Sequence, residues 1–234
     1  MSLKDIKGKN IKIAASIIAG DFYNIENLLR QTQEANIDYL HLDVMDGNFV
    51  PNITLSPLIV KKIKNITTLP IDIHLMVNNP ENYIENIIED INILNFHIET
   101  VKFPFRFIEN IRNIIFNKKL DTKIGVAINP ITDIGFLKYL KGYIDNILVM
   151  TVDPGFSGQK FIENMIIKIS LIKEIVKDWG DVFISVDGGV NDKNIEKLIK
   201  AGANYIVISS FLYKGNIIKN VEKIKSIINK FIDN

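Results

Sequence analysis

The sequence contains no cysteine, which excludes disulfide bonds, thiolate metal sites and a cysteine nucleophile. It also lacks an excess of charge of either sign, because 28 lysines and arginines offset 27 acidic residues and leave a net charge of +1. Such a balance creates no long-range field that would attract nucleic acid or an anionic membrane. We therefore expect neither partner, and we expect any anionic ligand to be bound by local groups.

Long hydrophobic runs are absent as well, since no stretch approaches the roughly 20 apolar residues that span a bilayer. Four lysines precede the apolar residues 13–20, a pattern that loosely resembles a secretory signal. This apolar segment is short, contains Ser16 and continues directly into Asp21, so a first β-strand is the better interpretation. We therefore expect a cytoplasmic protein.

Short apolar runs alternate with amphipathic segments along the whole chain. Most runs are nearly continuous in Ile, Val and Leu, which is typical of parallel strands covered on both faces. The predicted strands are residues 11–17, 39–44, 71–75, 93–98, 123–128, 146–152, 182–186 and 205–208. Apolar residues at three- and four-residue steps predict two helix faces. These are Ile162, Met165, Ile169, Ile172 and Val176, and then Ile217, Val221, Ile224, Ile228 and Phe231.

Eight strands alternating with about eight helices predict an α/β fold, a single (β/α)₈ TIM barrel. A doubly wound open sheet shares this alternation and is the structural alternative. No Pro/Gly/Ser-rich linker divides the chain, so we expect one domain over residues 1–234. Asn191, followed by charged residues, predicts a helix N-cap, and Gly202 predicts the end of that helix.

Side chains that can bind a metal or transfer a proton recur where predicted strands end, which is where barrels place their active sites. His41 and Asp43 are two residues apart and point to the same face of strand 2, while His74 and Asp187 end strands 3 and 7. Imidazole and carboxylate are ligands of Zn²⁺, Fe²⁺, Mn²⁺ and Co²⁺. The four residues therefore indicate a divalent metal site. The alternative is that both histidines are core residues satisfied by backbone groups.

Glycine- and serine-containing loops follow the last three predicted strands. They are residues 153–159 after strand 6, Gly188 and Gly189 after strand 7, and Ser209 and Ser210 after strand 8. Glycine lets the backbone turn its N–H groups towards an anion, and barrels commonly bind phosphate on these loops. The alternative is that the glycines only form tight turns.

Two further groups of residues lie near the predicted strand ends. Met45, Met76 and Met150 recur there, and could be simple core filling or a water-excluding wall of the site. His97, with Glu99 nearby, ends strand 4. We expect His97 to support the structure of the site rather than to ligate a metal.

Several segments together resemble the signature segments of the ribulose-phosphate 3-epimerase family, in the same order and spacing. They are residues 15–17, 41–52, 74–76, 150–159 and 186–189. The family has a barrel of the ribulose-phosphate-binding type, so the resemblance implies that fold here. Two departures are Ala15, where the family often has proline, and Ser209, where it commonly has glycine.

The resemblance also implies residue roles. One divalent ion per subunit (Zn²⁺, Fe²⁺, Mn²⁺ or Co²⁺) would be bound by His41, Asp43, His74 and Asp187. Asp43 and Asp187 would also be the catalytic acid/base pair. The implied substrate-binding residues are Ser16, Met45, Met76, Met150, Gly155, Phe156, Ser157, Gly158, Gly188, Gly189, Ser209 and Ser210.

The implied activity is epimerisation at C3 of D-ribulose 5-phosphate to D-xylulose 5-phosphate in the pentose phosphate pathway, by two aspartates and a metal-stabilised enediolate. D-allulose-6-phosphate 3-epimerase is the alternative, because residues 54–57 and 150–153 resemble it, whereas residues 96–99 and 101–106 resemble pentose-phosphate epimerases. A non-catalytic phosphosugar-binding barrel, or a metal-free barrel lyase or isomerase, would not need the four metal-type residues. Barrels of this kind commonly self-associate, so we expect a homo-oligomer.

Overall fold

The computed structural model describes residues 11–233. Residues 1–10, which carry most of the lysines of the signal-like segment, lie outside this range, as does the end of the predicted domain at Asn234. Eight parallel strands, each paired with its neighbours in sequence, close into a barrel in which the last strand pairs with the first. The predicted closed barrel is confirmed, and the open sheet is wrong.

The eight strands agree with the predicted runs to within two residues at each end. They are β1 (Lys12–Ser16), β2 (Tyr39–Met45), β3 (Ile71–Met76), β4 (Ile93–His97), β5 (Lys123–Ile128), β6 (Asn146–Met150), β7 (Phe183–Asp187) and β8 (Tyr205–Ile208). The α-helices of the described range are α1 (Ile25–Glu34), α2 (Pro57–Lys64), α3 (Glu81–Ile87), α4 (Pro104–Lys118), α5 (Met165–Val176), α6 (Ile195–Ala201) and α7 (Ile217–Asp233).

The connection between β5 and β6 differs from the expected helix. It holds only a 3-10 helix at Leu137–Leu140, so residues 11–233 contain seven α-helices rather than eight. Pro130, Asp133 and Gly135 precede this turn, and the Asp133 carboxylate accepts a hydrogen bond from the Gly135 N–H at 2.7 Å. Such local side-chain bonding competes with helix formation. The short turn still buries Leu137 and Leu140 against the barrel.

The start of α6 also differs from the prediction. The residue that precedes the helix as its N-cap is Asn194, three residues after Asn191. Asn191 belongs to the turn before it, where its side-chain oxygen accepts from the Lys193 N–H at 2.9 Å. Gly202 ends the helix as predicted, with a φ of 125° that favours glycine.

The two predicted helix faces contact the barrel through their apolar residues. In α5 and α7 the buried members are Met165, Ile169, Ile172, Val176, Ile217, Val221, Ile224 and Ile228. Ile162 precedes α5 and is only partly buried, and the side chain of Phe231 lies outside the described residues. No helix within residues 11–233 has the length and apolar character needed to cross a membrane.

Alternation along each strand separates two interiors. On β2, Leu40, Leu42 and Val44 pack outward into the large core between strands and helices, whereas His41 and Asp43 face the barrel axis. A small apolar cluster fills part of the barrel interior, formed by Ala14, Ile93, Ala127, Leu148, Tyr205 and Val207. Polar side chains occupy other inward positions, and they form the site.

Candidate active site

Four inward-facing side chains meet at the C-terminal ends of the strands. We call them the mouth cluster: His41, Asp43, His74 and Asp187. Their potential ligand atoms all lie within 4.8 Å of one another. The Asp43 Oδ1 atom is 3.4 Å from His41 Nε2 and 3.2 Å from His74 Nδ1. The Asp187 Oδ2 atom is 3.9 Å and 3.8 Å from the same two nitrogens.

The donor atoms of this cluster fit a divalent metal. His41 is fully buried, and its Nε2 atom has no hydrogen-bond partner. Buried polar atoms are nearly always paired, so an unpaired ring nitrogen that faces two carboxylates fits the coordination of a divalent cation. In the described part of the chain, only two other buried side-chain atoms lack a partner, Asn129 Oδ1 and Ser209 Oγ.

The electrostatics also favour a bound cation. Burial and the charge of Asp43 raise the pKa of Asp187 to about 7. Burial opposes the charged form of His41, yet Asp72 and Asp43 outweigh it and raise the pKa of that imidazole well above its usual value. Burial likewise opposes ionisation of Asp43, but His41 and His74 hold its pKa far below the usual range. The site thus has surplus negative charge, which protons neutralise when no cation is bound.

Each imidazole of the mouth cluster has a support behind it. His41 Nδ1 lies 2.8 Å from Asp72 Oδ2, which leaves its Nε2 atom to face the site. His74 Nε2 lies 2.9 Å from His97 Nε2, which leaves its Nδ1 atom to face the site. His97 therefore lies behind a mouth residue, in the supporting position that the sequence indicated.

A second set of buried polar residues lies deeper in the barrel and was missed by sequence reasoning. We call it the floor cluster: Asp72, Asn95, Asn146, Ser185 and Tyr205. Asp72 accepts hydrogen bonds from Asn95 at 2.6 Å and from the Tyr205 hydroxyl at 2.9 Å. Asn146 donates to Asn95 Oδ1 at 2.7 Å, and the Ser185 hydroxyl donates to Asn146.

A sequence signal for part of the floor cluster exists. Asp72 and Ser185 precede His74 and Asp187 by two residues, so each faces the barrel axis one layer deeper on the same strand. A glycine makes room for this layer on β5. A Cβ atom at Gly125 would lie 1.9 Å from Asn95 Oδ1, so only glycine fits against that side chain.

A cleft opens above the mouth cluster. Both aspartates of the cluster line it, together with all the predicted substrate-binding residues: Ser16, Met45, Met76, Met150, Gly155, Phe156, Ser157, Gly158, Gly188, Gly189, Ser209 and Ser210. The Ser16 hydroxyl donates to Asp43 Oδ2 at 2.7 Å, so this residue also fixes the carboxylate. The two histidines of the cluster are buried beneath the cleft.

Backbone geometry shapes the far side of the cleft. Gly188 and Gly189 have φ values of +115° and +65°, which side-chain-bearing residues rarely adopt. A Cβ atom would also lie 2.4 Å from Val152 at the first and 2.7 Å from the Phe161 nitrogen at the second. The Ser209 hydroxyl is buried at this side without a partner. These features suit close approach of an anion to the backbone.

The loop after β6 is braced across the mouth. Asn52, in the loop after β2, donates its side-chain N–H to the Gly155 carbonyl at 2.9 Å. Gln159 donates to the carbonyls of Asp153 and Phe156 at 2.6 Å and 3.0 Å. The ring of Phe156 remains 54% exposed beside the cleft.

The fold and the site define a class of protein: a (β/α)₈ barrel with two carboxylates, two imidazoles and an anion-type cleft at the C-terminal ends of its strands. The chain belongs to the ribulose-phosphate 3 epimerase family, whose model matches residues 12–213. It is therefore an enzyme of the isomerase class, an epimerase.

Individual relatives agree with this assignment. The chain is 42% identical over 214 residues to the ribulose-phosphate 3-epimerase of Methanocaldococcus jannaschii, covering 91% of this chain and 88% of that protein. It is 40% identical over 206 residues to the ribulose-phosphate 3-epimerase of Bacillus subtilis, covering 87% and 92%. The solved structure of KGPDC from Streptococcus mutans superposes with a TM-score of 0.71 at 8% identity, covering 94% and 98%, which shows likeness of fold alone.

Proposed function

We propose that the protein interconverts D-ribulose 5-phosphate and D-xylulose 5-phosphate, using a divalent metal bound by the mouth cluster. The observation that carries this proposal is the pair Asp43 and Asp187, which lie beside two imidazoles at the base of a cleft whose far side is shaped for an anion. Membership of the epimerase family supports the reaction type.

The two aspartates have environments suited to opposite roles. Asp43 accepts a hydrogen bond from Ser16 and lies 3.4 Å from the His41 imidazole, which favours its ionised form, whereas burial beside Asp43 favours the protonated form of Asp187. Paired carboxylates with separated pKa values can act as base and acid in one reaction. We assign Asp43 as the base and Asp187 as the acid in one direction, with exchanged roles in the other.

Inversion at C3 follows from this arrangement. Asp43 removes the C3 proton from one face, and the electrons of that C–H bond move into the C2–C3 bond while the C2 carbonyl oxygen takes the charge. Asp187 then delivers a proton to the opposite face of C3. A divalent ion bound by His41, Asp43, His74 and Asp187 would polarise the carbonyl and stabilise this negative charge.

Substrate position would be fixed at two points. The loops that contain Gly188, Gly189 and Ser209 would bind the phosphate, mainly through backbone N–H groups. Met45, Met76 and Met150 line the cleft next to the carboxylates and would exclude water from the reacting carbon. Binding the phosphate far from C3 holds that carbon between the two aspartates.

The test is a coupled assay on D-ribulose 5-phosphate and D-allulose 6-phosphate, before and after chelation, with Zn²⁺, Fe²⁺, Mn²⁺ and Co²⁺ each added back. We expect turnover that prefers the pentulose, is lost on chelation and returns with metal. Turnover that survives complete metal removal would contradict the metal role. Preference for the hexulose would contradict the substrate.

A variant pair locates the metal within the same assay. His41→Gln removes a proposed ligand and should weaken metal binding by about 10-fold or more. Ser185→Ala is the matched control, because Ser185 is equally buried in the barrel but belongs to the floor cluster, where it donates to Asn146. Equal metal affinity in the two variants would place the ion elsewhere.

A further inference from the structure

A contact between two histidines lies behind the mouth cluster. The Nε2 atoms of His74 and His97 are 2.9 Å apart, and both side chains are fully buried. Two ring nitrogens at this distance form a hydrogen bond only when one carries a hydrogen and the other a lone pair. The direction of this bond decides which nitrogen of His74 carries its proton.

The hydrogen-bonded series continues from His97 to a carboxylate. His97 Nδ1 lies 3.0 Å from Glu99 Oε2. The other oxygen of Glu99 accepts hydrogen bonds from the Asn129 backbone N–H at 2.8 Å and from the Thr132 hydroxyl. An ionised carboxylate only accepts hydrogen bonds, so His97 Nδ1 must carry a hydrogen.

One direction of hydrogen bonding then follows along the chain. A neutral His97 with a hydrogen on Nδ1 has a lone pair on Nε2, which accepts from the Nε2–H group of His74. His74 Nδ1 lies 3.2 Å from Asp43 Oδ1, and in the metal-bound protein it is then left as a lone pair that can bind the cation together with the other ligand atoms of the mouth cluster. We infer that Glu99 and His97 are positioning residues that fix His74 in its metal-binding tautomer.

This inference rests on the proposed metal site and adds a specific role for two residues that do not reach it. His41 provides the comparison, because Asp72 lies directly behind its Nδ1 atom. A metal-binding imidazole usually donates its second N–H to a carboxylate or carbonyl, directly or through a short relay. The barrel therefore supports its two imidazoles by unequal means, one by a carboxylate and one by a histidine and a carboxylate.

The relay is held in place by packing and by the loop after β5. The Phe49 ring packs on the His97 ring with centroids 4.6 Å apart. Lys168 on α5 donates to three carbonyls of the loop, those of Asn129, Pro130 and Thr132, at 2.8, 3.0 and 2.6 Å. This loop supplies the donors that orient Glu99, so the direction of the carboxylate is set from outside the site.

The variant Glu99→Gln reverses the direction of the hydrogen bond between residue 99 and His97, while the side chain keeps its shape. The Asn129 N–H still needs an acceptor, so the amide oxygen of the glutamine faces the loop and its NH₂ group faces His97. His97 Nδ1 then becomes the acceptor and its hydrogen moves to Nε2. His74 must accept on Nε2 and carry its hydrogen on Nδ1, where it blocks the metal.

The first test is Zn²⁺ affinity, measured by competition with a chromogenic chelator on the folded full-length chain. We expect Glu99→Gln to weaken binding by about 10-fold or more. Thr132→Val is the matched control, because it removes one hydrogen bond to the same carboxylate without changing the direction of the relay. We expect this control to bind within about twofold of wild type.

The second test uses the wild-type protein alone, so it does not depend on a variant that folds. Long-range ¹H–¹⁵N NMR of the Zn²⁺-loaded protein should show hydrogens on His97 Nδ1 and His74 Nε2. A hydrogen on His97 Nε2, or equal Zn²⁺ affinity for wild type and Glu99→Gln, would overturn the relay alone. Failure of the wild type to bind any of the four metals would overturn the metal site, and the relay with it.

Discussion

The mouth cluster and the floor cluster lie in the same barrel and partly on the same strands, and both consist of polar side chains removed from solvent. Their hydrogen bonding differs. Every side-chain nitrogen and oxygen of the floor cluster has a partner, whereas His41 Nε2 in the mouth cluster has none. In the mouth, two carboxylates a few ångströms from the same imidazoles also have pKa values shifted in opposite directions.

This difference distinguishes polar residues that support the fold from polar residues that can bind a ligand. A closed hydrogen-bond network is stable by itself, since each buried group is compensated within the protein. An open cluster is compensated only when something else binds, so its unpaired atom and shifted pKa values mark where a ligand belongs. Polar residues inside a barrel therefore do not by themselves indicate a site, but their incomplete pairing does.

The largest expected effect is on turnover and comes from a substitution in the mouth cluster. Asp187→Asn should lower kcat by about 10³-fold or more, because the amide cannot donate or accept the C3 proton. Without metal, the variant should be at least as stable as wild type at pH 8. The folded-state pKa of Asp187 is raised from 3.8 to about 7, so this residue costs stability that is lost progressively as pH rises from about 4 to 7 and stays lost at pH 8.

Kinetics in both directions and thermal unfolding in chelator check this prediction. Asp192→Asn is the control, since Asp192 lies in the turn before α6, is paired with Lys223 of α7, and should retain wild-type turnover. Turnover of Asp187→Asn within tenfold of wild type would remove Asp187 from the reaction.

A substitution in the floor cluster should lower the stability of the fold. Asp72→Ala leaves the donors of His41, Asn95 and Tyr205 without an acceptor, at about 1 kcal/mol or more each. We expect the free energy of unfolding to fall by about 3–4 kcal/mol. Asp38→Ala at the partly exposed end of the barrel is the control; it removes the ion pair with Lys12 and a hydrogen bond from the Ile13 N–H, and should lose about 1–2 kcal/mol. Urea unfolding that shows equal losses would mean that the floor network contributes little.

Glu99, which lies behind the mouth cluster, extends the comparison to the dependence of stability on pH. Partial burial opposes ionisation of Glu99, but hydrogen bonds from His97, Asn129 and Thr132 outweigh it and lower its pKa to about 2. A lowered folded-state pKa contributes stability that is present above the unfolded value near 4.5 and is lost as pH falls towards 2. The contribution is about 1–2 kcal/mol after allowance for solvent screening.

Urea unfolding of metal-free wild type and Glu99→Gln between pH 6 and pH 2.5 measures this contribution. The stability difference between the two proteins should shrink as pH falls, because a protonated glutamate resembles glutamine. A difference that stays constant over this range would show that the charge of Glu99 does not stabilise the fold.

The sequence was sufficient to predict the barrel strands and the meeting of the mouth residues. Parallel strands buried on both faces produce continuous apolar runs, and the rule that strand ends converge brought His41, Asp43, His74 and Asp187 together without knowledge of distances. The missing helix between β5 and β6 was harder to predict, because a 3-10 turn can cover the same surface with two leucines.

The floor cluster could not be predicted in the same way. Asn95, Asn146 and Ser185 are single polar residues within apolar strands, where they look like exceptions to a pattern. Their partners lie 39 and 51 residues apart along the chain and are set by the register between strands. Asn191 and Asn194 illustrate a local limit, since two asparagines three residues apart are equally good caps until the turn is known.

The smallest expected effect is on stability, and its size tests whether hydrogen bonds at the start of the floor network contribute less than those at the Asp72 carboxylate. Its hydrogen bonds run in one direction, from Ser185 through Asn146 and Asn95 to the carboxylate of Asp72. Ser185→Ala removes only the first donor and leaves one acceptor unpaired, so unfolding should become easier by about 1 kcal/mol while kcat stays at the wild-type value. If Ser185→Ala costs as much as Asp72→Ala, the network acts as one unit, and the carboxylate is not the point on which the other bonds depend.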